Sequence, residues 1–132
     1  MKRDIEFRGK RLDTGQWVYG YLVVEPTGKY RIYYKPFYGA VNNNWQYVDP
    51  ETVGQLVGVN DKDGQKLYEG DVVDVYNFHR PIRSVIFFQF GCFMVHVAVS
   101  EDDMAEFALS DVVEDDIHKI GNIHDNPELL KP

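Results

Sequence analysis

A chain of 132 residues, 44% of them hydrophobic, has the length of one domain and enough apolar side chains for one core, so residues 1–132 are expected to fold as a single domain. No apolar run reaches membrane-spanning length, and the charged start MKRDIEFRGKR lacks the apolar stretch of a secretory signal, which predicts a cytoplasmic protein with no membrane partner. The formal charge of −7 disfavours non-specific nucleic-acid binding, and the single Cys92 excludes an internal disulfide.

The pattern along the chain has a period of two almost throughout, the signature of strands. IEFRGKRL leads through the turn Asp13-Thr14-Gly15 into WVYGYLVV, residues 17–24, where Trp17, Tyr19, Tyr21 and Val23 fall on one face and Val18, Leu22 and Val24 on the other. Pro26-Thr27-Gly28 is a second turn into YRIYY, which completes a three-stranded meander. The Gly- and Asn-rich stretch from Pro36 to Trp45 predicts a long loop. Asp49, Pro50 and Glu51 are the residue types that start a single helical turn, and a short strand ending at Gly58 follows.

DKDG, residues 61–64, could open a calcium loop, but the register fails: Lys66 stands where glycine is required and Val72 where a bidentate Glu is required. A hairpin turn is expected there. YEGDVVDV then starts a strand with Val73 and Val75 inward and Asp74 outward. SVIFFQF turns at Gly91 and returns as CFMVHVAV, a hairpin expected to centre the core on Val73, Val75, Val85, Phe87, Phe93, Val95 and Val97. EDDMAEFALSDV is the one stretch that reads as a short helix, with Met104 and Phe107 on one side. Strand returns at Ile117 to Ile123. In IGNIHDNPELL, Ile120 and Ile123 anchor a chain stop, with Asp125 or Asn126 capping the turn that Pro127 begins.

In order, EFRGKRLDTGQWVYGYLV, VDPETVGQLVGVNDKDGQKLYEGDVV and IGNIHDNPELL resemble the YopX family of phage and prophage proteins. That resemblance implies a mainly β protein carried by bacteriophages or prophages, and it supplies no catalytic residues. KLYEGDVVDV is similar to the strand start of SH3-like barrels. The fold expected is therefore all-β, a compact antiparallel barrel-like domain, SH3-like in part, with one short helix.

The chemistry-bearing residues assemble no reaction centre. His118 and His124 on one continuous strand would stand roughly 20 Å apart, too far to share an ion. Ser84 and Ser100 lie in no nucleophile elbow, Cys92 sits in an apolar run, and no glycine loop between strand and helix offers a phosphate cradle. The protein is expected to be no enzyme and to hold no metal or cofactor.

Charge points to binding instead. Lys2, Arg3, Arg8, Lys10 and Arg11 face only Asp4 and Glu6 within residues 2–11, whereas residues 101–116 carry eight acidic residues and no basic one. These ends are complementary, so a homo-oligomer is expected, with Arg8, Lys10, Arg11, Trp17, Tyr19 and Tyr30 at the interface; a host or phage protein is the other partner class. Two alternatives use the same residues differently. The basic head could bind nucleic acid if it shares a surface with Trp17 to Tyr21, or the acidic run could mimic nucleic-acid charge towards a host protein.

Overall fold

The computed structural model describes residues 3–34, 44–76 and 80–131. The expected loop from Pro36 falls outside the described residues except for its last two, as do Lys2 and His79. The chain forms two compact units, Met1–Leu56 and Val57–Pro132. Both are built from antiparallel strands, and the only helical turns among the described residues are short 3-10 segments.

In the first unit, strands β1 (Phe7–Lys10), β2 (Trp17–Val24), β3 (Tyr30–Tyr34) and β4 (Trp45–Val48) follow one another as a meander, and β5 (Gly54–Asn60) starts beside β1, giving the order β4-β3-β2-β1-β5. The turns sit where the sequence places them: the Gly15 N–H donates to the Arg11 carbonyl and the Gly28 N–H to the Glu25 carbonyl, each at 2.9 Å. Val18, Ile32 and Val48 form the buried cluster, with Phe7, Leu22, Tyr30, Tyr34 and Val53 packed around it. Gly9 makes this packing possible, because a Cβ there would stand 3.1 Å from two Val48 carbons and 3.3 Å from Ile32 Cδ1. The Asp49 side chain caps the 3-10 turn Pro50–Thr52 by accepting the Glu51 N–H at 3.0 Å.

At its far edge β4 returns to the end of β1 through the Arg11–Val48 bridge, a Leu12 N–H to Tyr47 carbonyl bond of 3.1 Å and an Asp49 N–H to Lys10 carbonyl bond of 2.8 Å. These few bonds do not close a barrel. The all-β expectation holds, but the barrel-like closure is corrected: the strands lie in open sheets.

The second unit holds β6 (Lys66–Tyr68), β7 (Asp71–Val75), β8 (Ile82–Val85), β9 (Phe87–Gln89), β10 (Cys92–Ala98), β11 (Met104–Ala108) and β12 (Ile117–Asn122). Two three-stranded sheets, β12-β7-β8 and β11-β10-β9, enclose Leu67, Val73, Val75, Ile82, Ile86, Val95, Val97, Leu109, Val112 and Ile117. Val73, Val75, Val95 and Val97 are buried as expected, and Phe93 packs against them half-buried.

Val85 and Phe87 are not core residues, because the run 84–90 is two strands rather than one. The chain passes from the β7 sheet to the β10 sheet at Ile86, whose N–H donates to the Asp71 carbonyl while its own carbonyl accepts from Gly70. Ser84 and Ile86 are buried as a result, and Phe87 lies outside against the His96 ring at 5.1 Å. The expected helix is also corrected. Met104–Ala108 is an edge strand on β10, and only Leu109–Asp111 makes a 3-10 turn that buries Leu109. Ala105 and Phe107 share the face of Val97 and Val95 across the pair, a period of two that a five-residue stretch cannot distinguish from a helical one.

Candidate interaction face of the first unit

Strand pairing converts alternation into a surface. Register sets Arg8 opposite Tyr19, Lys10 opposite Trp17, Tyr21 opposite Tyr33, Val23 opposite Arg31, Arg31 opposite Tyr47 and Tyr33 opposite Trp45. Directly opposed residues of an antiparallel pair project to the same side, so these side chains share the face opposite the Val18–Ile32–Val48 cluster. The face alternates cations with aromatic rings.

The cations lie on the rings. The Arg8 guanidinium is 4.7 Å and the Lys10 ammonium 5.4 Å from the Trp17 ring centroid, while Arg31 stands 4.8 Å from Trp45 and 5.6 Å from Tyr33. Lys29 stands 5.2 Å from Tyr47. Trp45 and Tyr47 meet edge to face at 5.0 Å. Glu25 ties the far side together, taking Arg31 at 2.9 Å and the Tyr47 hydroxyl proton at 3.1 Å. That hydrogen bond, with burial and the carboxylate's charge, raises the Tyr47 pKa above the ordinary phenol value. Arg8 is only 2% exposed, whereas Tyr19 and Tyr21 are 42% and 43% exposed.

Of the six residues expected at an interface, Arg8, Lys10, Trp17 and Tyr19 come together on this face. Tyr30 does not: it pairs with Val24 and packs on the core side. Arg11 is also off the face, bridged to Val48 and paired with Asp13 at 2.8 Å. That pair raises the Arg11 pKa and lowers the Asp13 pKa, chiefly through the side-chain hydrogen bond. Arg31, Tyr33, Trp45 and Tyr47 complete the face. Only the strand register shows that they continue the Trp17 side.

In the second unit the DKDG turn brings ligand atoms of Asp61, Asp63 and His118 within 4.8 Å of one another. Asp61 is already fully engaged by the backbone: Oδ1 accepts the Asp63 and Gln65 N–H groups at 2.9 Å and Oδ2 accepts the Lys119 N–H at 3.1 Å. Burial alone would raise the Asp61 pKa; these three donors and the nearby His118 outweigh it and lower the value. The Asp61 carboxylate is thus a staple between the turn and β12. The two serines have comparable backbone roles: the Ser84 hydroxyl donates to the Val85 carbonyl and accepts the His96 N–H, and Ser100 Oγ accepts from the Asp102 and Asp103 N–H groups. No helix among the described residues is long and apolar enough to cross a membrane.

A family model described as YopX protein matches residues 6–131. Among solved structures, protein EF1440 from Enterococcus faecalis is 20% identical, with 98% of this chain and all of that one covered at a TM-score of 0.65. Protein yopX from Bacillus subtilis is 21% identical, with 96% and 98% covered at a TM-score of 0.57. At these identities the likeness is one of fold. No match was found among curated proteins.

Proposed function

The chain belongs to the YopX family, and we propose that it is a non-catalytic protein-interaction module that self-associates through the aromatic and cationic face of its first unit. The observation that carries this reading is the gathering of Trp17, Tyr19, Tyr21, Arg31, Tyr33, Trp45 and Tyr47 on one side of a sheet. Trp, Tyr and Arg are the residue types that dominate binding energy at protein interfaces. Stacked cations and packed rings also leave little side-chain freedom to be lost on binding.

Charge supports a second copy as the occupant. The first unit carries eight basic and six acidic residues, whereas the second carries six basic and fifteen acidic. The face of one copy therefore finds its complement on the second unit of another. The family resemblance supports reading this as an assembly in the cytoplasm of bacteria carrying phages or prophages, where a host or phage protein with a similar acidic surface would take the same place.

Nucleic acid is the second reading, favoured by Arg8 and Lys10 sharing the face with Trp17 and Tyr19. The burial of Arg8 under Trp17 counts against it, since a phosphate needs a guanidinium it can reach. Light scattering at micromolar protein, in moderate and in high salt, tests the proposal. An oligomer that dissociates in high salt, and that Tyr19→Ser with Tyr21→Ser abolishes, is expected. A monomer in both salts refutes self-association. Tight binding to a single-stranded oligonucleotide that falls steeply with salt would favour the nucleic-acid reading.

A further inference from the structure

Phe90 combines two costs at one position. It is the only described non-glycine residue with positive φ, at 55°, and its side chain is 84% exposed. With Gly91 at φ 76° it makes the two-residue turn between β9 and β10, closed by the Gln89–Cys92 pair. Both central residues of such a turn need positive φ, which Asn-Gly or Asp-Gly meets with little strain and a bulky aromatic does not. Neither cost is offset among the described residues: Phe88, next to it, is itself exposed and packs edge-on against Phe93 at 5.3 Å. A local violation of this kind, unexplained by folding, points to use elsewhere.

We propose that Phe90 is an anchor of the self-association contact and inserts into an aromatic recess on the first unit of another copy. This rests on the self-association reading above and names its second surface. The recess has a volume of about 400 Å³ and is lined by Leu12, Asp13, Trp45, Gln46 and Tyr47. Its Trp45–Tyr47 edge-to-face pair offers a phenyl ring the offset geometry aromatic clusters prefer. Arg31 on Trp45 and Lys29 on Tyr47 stack on the rings that line it, and Phe90 projects from the strongly acidic unit. Each copy has one tip and one recess, so the contact can be made twice in a two-fold dimer or passed around a ring.

Two variants test this by light scattering. Phe90→Asn replaces the strained residue with one the turn favours, so its melting temperature should rise while association weakens at least tenfold. Leu12→Asp places a charge in the recess at a position 64% exposed, where folding should not suffer, and should weaken association similarly. Mixing the two variants should restore a complex, because the Phe90 tip of one meets the intact recess of the other. A monomeric wild type overturns self-association and this contact with it. A wild-type oligomer that Phe90→Asn leaves intact overturns the anchor alone, and variants that both dissociate but fail to combine overturn the pairing of tip with recess.

Discussion

The carboxylate of Asp61 accepts the backbone N–H of Lys119 at 3.1 Å, across 58 residues of chain. The same carboxylate accepts the N–H groups of Asp63 and Gln65, so one side chain both shapes the DKDG turn and fastens it to β12. Asp61→Asn keeps one acceptor oxygen and presents an NH2 group to a backbone donor. The expected cost is about 1–3 kcal/mol, read from denaturant unfolding at neutral pH. The folded-state pKa of Asp61 is lowered, so its carboxylate stabilises the protein at pH above the ordinary Asp value, and that contribution is lost as pH falls through the folded value. The gap between wild type and Asp61→Asn should therefore narrow on acidification below about pH 4. A gap that widens would contradict this account.

Asp71 is fully buried, and its Oδ2 takes the Tyr68 N–H at 2.7 Å and stands 3.4 Å from the Lys119 ammonium. Lys119→Met removes the cation and leaves the carboxylate's charge in the interior. The expected loss is about 3 kcal/mol, at the low end for a buried pair because the Lys119 side chain is 23% exposed. Adding Asp71→Asn should recover part of it, since the charge goes and an acceptor for Tyr68 stays. Chemical denaturation of the single and double variants checks both steps.

The passage between sheets at Ile86 has a direct mutational signature. Ile86 is 1% exposed and lies in the core cluster, whereas Val85 is half-buried. Ile86→Ala should cost about 2–5 kcal/mol. Val85→Ala should cost about 1 kcal/mol, since only part of its apolar surface leaves water on folding. Equal losses at the two positions would restore the uninterrupted strand that the sequence alone suggests.

The physical reason for that difference separates what the sequence makes legible from what it does not. Alternation located β2, β3, β7 and β10, and turn chemistry placed Asp13-Thr14-Gly15 and Asp61 to Gly64, because both are local properties of the chain. The phase change at Ile86 comes from its bonds to Gly70 and Asp71, and the strand at Met104–Ala108 from its pairing with β10. Those are tertiary causes that no local window contains. The interaction face divides in the same way: Trp17 and Tyr19 are legible on one strand, but Tyr30 was assigned to it where Arg31 and Tyr33 belong, since strand register decides which parity of β3 faces outward. At the chain end the turn and the cap position were legible, but the side-chain bonds were not. Asn126 stands at the N-cap position of Pro127–Leu130, but its Oδ1 turns back to accept the Asn122 N–H, and Asn122 Oδ1 shapes the preceding turn by accepting the His124 and Asp125 N–H groups.

Gly9 tests the packing beneath the face. A β-strand ordinarily gains stability when alanine replaces glycine, by roughly 0.5–1 kcal/mol. Here the added Cβ would stand 3.1 Å from Val48 Cβ and Cγ2 and 3.3 Å from Ile32 Cδ1. Val48 and Ile32 are 1% and 0% exposed, and both are β-branched, with little rotamer freedom to move aside. Overpacking should therefore win, and Gly9→Ala should destabilise by about 1–3 kcal/mol. Val48→Ala removes Cγ2, one of the two Val48 carbons at 3.1 Å, and by itself leaves a small void, so the two substitutions should partly compensate: the double variant should lie above the sum of the single losses by about 0.5 kcal/mol or more. Thermal and denaturant unfolding of the four proteins in this cycle give the coupling directly. Strict additivity would mean that β1 and β4 can separate enough to admit a methyl group, and that Gly9 is not what sets their approach.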